Sequence, residues 1–265
     1  MKAAEGAETH VFCINTGRAG SEYLSRLLAG PMPVQSFHEP EPAMIGPFLR
    51  MVESQPLTDT FTARLVKAEA IDSFCATTGC RLYCESNHMF IKTFFDVVCA
   101  RLRDVRVVHL RRPLSQTLRS FVELAYFTSR NPAWPHWMAC PFAKTAAMVY
   151  PHWDLDSIDM AIAYLIDIEA RADRFKTAYP QVPVFETTLA LLNLPPVVED
   201  LLAFIDYPLP AADNLARVGL RVNDRIARKR HFGVSADSVM LGKRIDAFLS
   251  RLTEAGIDVP HGLLL

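Results

Sequence analysis

The chain has 265 residues, of which 50% are hydrophobic and 22% charged, so it can bury a core without disulfides or metals and is too apolar to be disordered throughout. Lysine and arginine number 28 against 29 aspartates and glutamates, which gives a net charge of −1. A broad nucleic-acid-binding face needs an excess of positive charge. Nucleic acid is therefore not an expected partner, and any anion site must be a local cluster.

Apolar segments and cysteines set further limits. The longest apolar runs, such as residues 160–166, are far shorter than the ~20 residues of a membrane-spanning helix. Residues 1–10 lack the apolar centre of a signal peptide, so we expect a soluble cytoplasmic protein with no membrane span. Cys80 and Cys84 form a close pair, but no second pair follows at a metal-ligand spacing, and no metal site is predicted.

Short apolar runs alternate with helical patterns along the chain. Strands are predicted at residues 11–14, 34–37, 82–84, 105–110 and 182–185. Helices are predicted at residues 23–28, 94–102, 114–125, 158–179 and 197–205. This alternation predicts an α/β fold in which helices flank a mostly parallel β-sheet, with the whole chain, 1–265, forming one domain. Ligands of such folds bind at the carboxyl ends of the strands.

A glycine-containing loop follows the first predicted strand. It reads Gly17-Arg18-Ala19-Gly20-Ser21 and leads into a helix, whose first N–H groups and dipole favour an anion. Arg18 adds a positive charge and Ser21 a hydroxyl donor. The nucleotide-triphosphatase loop requires a lysine after its last glycine, and no lysine follows Gly20. Taken alone, the loop also suits an ordinary strand–helix turn.

A second anion element lies at the end of the fourth predicted strand. Arg111 and Arg112 end this strand, and Ser120 follows Arg112 by eight positions, about two helical turns into the next helix. A guanidinium fork and a hydroxyl together suit a phosphate group. An arginine pair by itself is more often a surface feature, but here two anion-suited elements follow two strands.

A third basic element, residues 217–233, lies near the C-terminus. Its cations are Arg217, Arg221, Arg225, Arg228, Lys229 and Arg230. The first three are four residues apart and would share one face of a helix. The segment has two interpretations: a solvated basic face, or a lid over a polyanion.

These motifs resemble those of sulfotransferases that use 3′-phosphoadenosine 5′-phosphosulfate (PAPS). The first loop of that family is similar to G-R-S-G-S/T-S/T-x-L, and residues 17–24 follow it closely. The family's second motif has an arginine at a strand end and a serine eight positions later, as do Arg112 and Ser120, although Arg111 could take the arginine's part. The resemblance covers roughly residues 10–233 and implies a P-loop-like fold of three layers.

The resemblance also implies which residues bind the co-substrate. The 5′-phosphosulfate would contact Gly17, Arg18, Ala19, Gly20, Ser21, Glu22 and Tyr23. The 3′-phosphate and adenine would contact Arg111 or Arg112, Ser120, Arg228, Lys229 and Arg230. Two positions depart from the family pattern: Glu22 replaces a serine or threonine, and residues 228–233 only approximate the family's R-K-G-x-x-G signature.

Transfer of a sulfuryl group requires charge stabilisation and a base. Arg18 is our candidate for stabilising charge on the leaving phosphate. Glu39, which follows the second strand, is the first candidate for the base; His88 is the second and His38 the third. Glu39 could instead cap a helix or pair with Arg18, and His88 could be a structural histidine. Lys92 could assist Arg18, but we expect it to be a surface residue of the helix that follows.

The segment 131–153 contains Trp134, Trp137 and Trp153 and has little helical periodicity. We expect it to shape the acceptor pocket, although buried aromatic packing explains it equally well. The sequence thus predicts transfer of a sulfuryl group from PAPS to a hydroxyl or amine of a small-molecule or carbohydrate acceptor. The alternatives are a nucleotide kinase with a degenerate phosphate loop and a non-catalytic nucleotide-binding module.

Overall fold

The structure is a computed structural model that describes residues 8–220, 232 and 234–264, and these residues contain a sheet of five parallel strands. The strands are β1 (Thr9–Ile14), β2 (Val34–Phe37), β3 (Leu82–Glu85), β4 (Val105–Arg111) and β5 (Val184–Thr188), in the order β2-β3-β1-β4-β5. The predicted α/β class with a parallel sheet is confirmed. β5 begins two residues later than predicted, because Pro183 has no N–H to donate to β4.

Helices connect the strands. They are α1 (Ser21–Leu28), α2 (Pro47–Ser54), α3 (Leu57–Thr78), α4 (Phe95–Arg101), α5 (Leu114–Glu123), α6 (Ser157–Ala178), α7 (Pro195–Phe204), α8 (Ala212–Leu215) and α9 (Ser238–Glu254). A π-helical turn, Phe90–Phe94, leads into α4. Helices α2, α3, α8 and α9 were not predicted. α3 buries Arg64 and Lys67 beside its apolar residues, so it has no clear apolar stripe. In the part of the chain that the structure describes, no helix is long and apolar enough to span a membrane.

The sheet lies between two helical layers, as the alternation of side chains along β1 shows. Val11 and Cys13 point to one face and pack with residues of α1 and α7. Phe12 and Ile14 point to the other face and pack with residues of α3, α4, α5 and α6. This confirms the predicted three layers, whereas the organisation of 1–265 as one domain stays a prediction.

The parallel direction of the strands places four connections at one edge of the sheet. The loop at residues 15–20 follows β1, His38 follows β2, Ser86 follows β3 and Arg112 follows β4. β1 pairs with β3 on one side and with β4 on the other, so its loop is flanked by the ends of both neighbours. The motifs that the sequence analysis selected therefore lie close together.

The irregular segment between α5 and α6 is fixed to the helices beneath it. Asp167 of α6 accepts hydrogen bonds from the backbone N–H groups of Ala147 and Met148, at 2.5 and 2.9 Å. Its carboxylate also pairs with Arg171 at 2.6 Å, and both side chains are buried. Because these backbone groups are satisfied by a core residue, we interpret the segment as a preformed wall.

Asp167→Ala tests this interpretation. The change removes the acceptor of two backbone N–H groups and leaves Arg171 buried without its carboxylate. Removing one partner of a buried ion pair costs about 3–5 kcal/mol, so we expect the free energy of unfolding, measured by urea titration, to fall by about that amount.

The control is Asp173→Ala on the same helix. Asp173 is partly exposed and pairs with Lys176 at 2.9 Å, and such a pair contributes at most about 1 kcal/mol. Equal losses in the two variants would show that Asp167 does not fix the segment.

Candidate functional site

The connections at the carboxyl edge of the sheet surround a cleft of about 1050 Å³. One end is lined by most of the loop after β1 and by Arg112. The other end is lined by aromatic and apolar side chains from residues 124–138, and His38, Glu39 and His88 also line the cleft. The volume lies at the upper limit of ordinary ligand sites, which span roughly 300–1,000 Å³. The cleft is therefore large enough to be a ligand site.

The loop after β1 has a backbone that only certain residues tolerate. Gly17 and Gly20 have φ values of +78° and +105°, a region that side chains disfavour. A Cβ at Gly20 would lie 2.6 Å from Leu189 Cδ1. Asn15 Oδ1 accepts a hydrogen bond from Gly17 N at 2.9 Å. The loop thus ends at the N-terminus of α1, where the free N–H groups can bind an anion.

The two predicted anion elements are in direct contact. Arg18 Nε donates a hydrogen bond to Ser120 Oγ at 3.2 Å, and Arg112 Nη1 donates one to the carbonyl oxygen of Arg18 at 3.1 Å. Burial lowers the pKa of Arg112 from its ordinary value, so an anion beside this guanidinium would be favoured. We call the contact of Arg18, Ser120 and Arg112 the arginine–serine junction.

The structure separates Arg111 from Arg112. Arg111 Nη2 donates to Glu186 Oε2 at 2.7 Å, and its Nη1 donates to the carbonyl oxygen of Gly262 at 2.8 Å. Arg111 lies outside the described lining of the cleft, whereas Arg112 is part of that lining. These contacts favour Arg112 over Arg111 as the anion-binding candidate, and the binding itself stays a prediction.

Three further residues of the first motif belong to α1 or its approach. Ala19 is buried in the core beside α1. Glu22 lies in the first turn and pairs with Arg26 at 3.0 Å, so an arginine offsets the carboxylate at the edge of the cleft. Tyr23 Oη donates to the carbonyl oxygen of Leu192 at 3.1 Å and accepts from Gly219 N at 3.0 Å. Tyr23 thus connects α1 to the start of the basic segment.

The basic segment is described only at its beginning and near its end. Arg217 Nη1 donates to the carbonyl oxygen of Ala29, just beyond α1. Phe232 lines the cleft. The remaining cations, Arg221, Arg225, Arg228, Lys229 and Arg230, lie outside the described residues. Their predicted contacts stay predictions.

The three candidate bases cluster around one carboxylate. Glu39 Oε1 lies 3.5 Å from His88 Nε2 and 3.8 Å from His38 Nε2. His38 Nδ1 is 2.9 Å from the carbonyl oxygen of Ser86. Glu39 has a φ of +52°, a conformation that costs a non-glycine residue about 1–3 kcal/mol and is concentrated at functional sites. The surroundings of Glu39 therefore hold its backbone in this conformation.

The expectation that Lys92 is a surface residue is wrong. Its side chain is 1% exposed, and Nζ lies 2.5 Å from His88 Nδ1 and 2.9 Å from the carbonyl oxygen of Trp137. The helical backbone begins at Phe90 rather than Phe94, and the π-helical turn directs Lys92 inward. His88 lies in the turn before this helix, so the sequence spacing alone did not indicate its contact with Lys92.

Burial determines the charge of this pair. Desolvation, with smaller effects of Lys92 and His38, holds the pKa of His88 well below its ordinary value. Desolvation, with a smaller effect of Arg171, also lowers the pKa of Lys92. The ring of His88 stacks on Trp137, with centroids 5.6 Å apart. His88 is therefore a neutral imidazole with a fixed orientation.

The end of the cleft near residues 124–138 presents mainly aromatic and apolar surfaces. Trp134, Trp137 and Met138 line it. Two polar groups there are engaged within the wall: Asn131 Nδ2 donates to the carbonyl oxygen of Leu124 at 2.9 Å, and Trp134 Nε1 donates to that of Thr128 at 3.0 Å. Tyr126 also lines this part of the cleft. Trp153 packs instead on Phe248 of α9. The described part of the 131–153 segment that lines the cleft is thus its N-terminal part.

No protein-family model and no curated protein matches the chain. Among solved structures, the sulfotransferase domain from the curacin biosynthetic pathway matches with a TM-score of 0.50 and 12% sequence identity, over 97% of this chain and 100% of that one. The chain has the fold of a sulfotransferase domain. Sulfotransferase STF1 from Mycobacterium tuberculosis H37Rv also matches, at a TM-score of 0.37 and 15% identity over 90% of this chain and 76% of that one, which is too low to support the assignment.

This sulfotransferase fold is the one that the sequence motifs implied. A fold shared at 12% identity does not carry an activity with it. Support for a function therefore comes from the residues of the cleft. The described residues contain no group of three or more histidines, cysteines or acidic residues that could hold a metal ion.

The neutral state of His88 predicts acid sensitivity. In the unfolded chain a histidine takes up a proton near pH ~6.5, whereas the lowered pKa of His88 keeps it unprotonated in the folded chain. Below that pH the unfolded state binds more protons, so stability falls as the pH falls, by about 1.4 kcal/mol per pH unit. Between about pH 7.5 and 5, we expect the wild type to lose about 2 kcal/mol more unfolding free energy than His88→Gln, from urea titrations. Parallel curves for the two proteins would contradict a neutral His88.

Proposed function

We propose that this protein is a sulfotransferase that uses PAPS as donor and transfers its sulfuryl group to a small-molecule acceptor. The observation that carries the proposal is the arginine–serine junction, in which two elements about a hundred residues apart meet and from which Arg18 and Arg112 line the cleft. A donor with two separate anionic groups, a 5′-phosphosulfate and a 3′-phosphate, needs two adjacent anion sites. The sulfotransferase fold of the chain supports the same conclusion.

The residues at this end of the cleft fit such a donor. The loop after β1 offers N–H groups at the start of α1 and the guanidinium of Arg18 for the 5′ group. Arg112 and Ser120 offer a guanidinium and a hydroxyl for the 3′-phosphate. Arg228, Lys229 and Arg230 stay candidates for further contacts.

Different residues of the cleft perform different parts of the proposed reaction. When bound, PAPS supplies an activated sulfuryl group on a phosphate that can leave. Arg18 and the N–H groups of the loop stabilise the negative charge that grows on that phosphate. Glu39 accepts the proton of the acceptor, and the aromatic wall positions the acceptor and excludes water. Positioning and charge stabilisation are the main contributions that this kind of transfer needs.

The wall favours an acceptor with an apolar body and a single reacting hydroxyl. Trp134, Trp137 and Met138 offer apolar surface, and the polar groups of Asn131 and Trp134 already have partners in the wall. A sugar would find few donors and acceptors for its other hydroxyl groups, and unsatisfied polar groups cost free energy on burial. Of the acceptors that the sequence left open, we therefore propose a phenol or another apolar alcohol.

The donor site is tested by calorimetric titration with 3′-phosphoadenosine 5′-phosphate, the product left by PAPS. We expect this bisphosphate to bind more tightly than ATP or ADP. Arg112→Ala removes a charged hydrogen-bond donor, a loss of about 1.5–3 kcal/mol that corresponds to roughly a 10- to 100-fold higher Kd. A preference for ATP would favour a kinase, and binding of none of the nucleotides would overturn the proposed function.

Arg111→Ala is the matched comparison in this titration. Arg111 is adjacent in sequence but pairs with Glu186, so we expect its Kd to stay within about twofold of the wild type, since the change removes no contact to the cleft. An equal loss in both variants would show that Arg112 is not the specific contact.

The acceptor class is tested by rates of sulfuryl transfer from PAPS to phenols and to monosaccharides. We expect transfer to phenols, and a KM for the phenol that rises roughly tenfold in Trp134→Leu, because an aromatic contact and its buried area are lost. Trp153→Leu, in the same segment but packed on Phe248, should leave this KM unchanged. Preferential transfer to monosaccharides would overturn the proposed acceptor class.

A further inference from the structure

The buried Lys92–His88 pair has a geometry that distinguishes between the candidate bases. We propose that Lys92 is a positioning residue: its Nζ donates a hydrogen bond to His88 Nδ1, so that His88 keeps its proton on Nε2 and directs it towards Glu39. His88 is then a donor to Glu39 and not the general base. The effect on the reaction rests on the proposed function, whereas the position of the proton can be measured without it.

Four groups of the described residues lie near Lys92 Nζ. Its neighbours are the carbonyl oxygen of Trp137 at 2.9 Å, His88 Nδ1 at 2.5 Å, Met89 Sδ at 4.0 Å and the face of the Tyr164 ring, 5.1 Å from its centroid. The oxygen, the sulfur and the ring face can only accept hydrogen bonds. A lysine nitrogen has at least two N–H groups in either protonation state, enough for Trp137 and for His88.

The lone pair of a neutral amine argues for the same arrangement. If Nζ accepted a proton from His88 Nδ1, its lone pair would point at His88 and its N–H groups would serve the weaker partners, Met89 and Tyr164. If Nζ donates to Nδ1, the close contact of 2.5 Å and the Trp137 contact are both satisfied by N–H groups. Donation from Lys92 to His88 therefore accounts for more of the observed contacts.

The contacts of the His88 ring determine which of its nitrogens has the proton. A neutral imidazole has one N–H, so a ring that accepts at Nδ1 has its proton on Nε2. The stacked Trp137 fixes one face of the ring. Gly17 packs against the ring as well, since a Cβ there would lie 3.4 Å from Nδ1. This orientation places Nε2 at 3.5 Å from Glu39 Oε1.

In this arrangement His88 cannot take the proton of the acceptor. A nitrogen that already has a proton cannot accept another, and Nδ1 is covered by Lys92. Glu39 lines the cleft, and its Oε1 lies 3.5 Å from His88 Nε2 and 3.8 Å from His38 Nε2. A directed N–H from His88 fixes the orientation of this carboxylate for an acceptor hydroxyl. Lys92 thus acts on Glu39 through His88, without touching the substrate.

The proton position is tested by nitrogen-15 NMR of protein labelled at histidine. The His88 signals are assigned as those missing from His88→Gln. We expect Nδ1 to resonate as an unprotonated, hydrogen-bonded nitrogen and Nε2 as a protonated one. A protonated Nδ1 with a bare Nε2 would overturn the inference, and the outcome does not depend on any activity.

The kinetic test uses a substitution that keeps the donor and removes the base. Glutamine at position 88 carries an amide N–H near the place of Nε2–H but has no basic nitrogen. The side chain of alanine has neither an N–H nor a basic nitrogen. We expect kcat to fall by less than about tenfold in His88→Gln and by more in His88→Ala. A general base contributes about 10²- to 10⁴-fold, so a loss in His88→Gln as large as that in Glu39→Gln would show that His88 is the base.

Lys92→Met separates positioning from a structural role. We expect the single His88 tautomer to be replaced by a mixture in the NMR spectrum, kcat to fall roughly tenfold or more as orientation is lost, and the Kd of 3′-phosphoadenosine 5′-phosphate to stay within about twofold. An unchanged tautomer and kcat would overturn the inference. If the wild type did not bind the bisphosphate, only the proposed function would be overturned, because the tautomer of His88 would still be measured.

Discussion

The central position of β1, between β3 and β4 in a parallel sheet, is the constraint on which the site depends. Because the strands run in the same direction, the residues that follow β1, β2, β3 and β4 emerge at one edge. The register of β1 against β4 pairs Ile14 with His109, so the two strands end within a few residues of each other. The loop after β1 and the start of α5 then meet in the arginine–serine junction, although about a hundred residues separate them.

Charged residues in the core support the other side of the cleft. Lys67 Nζ lies 2.8 Å from Glu85 Oε1, and both side chains are fully buried. Glu85 also accepts hydrogen bonds from Tyr83 Oη at 2.8 Å and from Asn87 Nδ2 at 2.9 Å. A buried ion pair contributes little net stability because both ions lose their hydration. Its effect here is geometric: the network fixes the chain on both sides of Ser86 and so places His88 beside Glu39.

The sequence was sufficient where the local pattern and the tertiary structure agree. The strands, the loop after β1 and helices such as α6 and α7 follow from apolar periodicity and from the glycines at 17 and 20. It was insufficient where polar residues are buried. Lys92 was assigned to the surface because lysine is rarely buried, yet its acceptors come from Trp137 and Tyr164, which are distant in the sequence. Contacts of this kind depend on the tertiary structure.

The choice between Arg111 and Arg112 is a case in which the sequence contained more information than the motif. Side chains of a strand alternate between the two faces of the sheet. Val108 and Leu110 of β4 pack on the face that carries α1. Arg112 continues this alternation and reaches the loop before α1, whereas Arg111 shares its parity with His109 and reaches Glu186 and Gly262. Two adjacent arginines at a strand end therefore point in opposite directions, and the parity of the apolar residues before them indicates which one reaches the loop after β1.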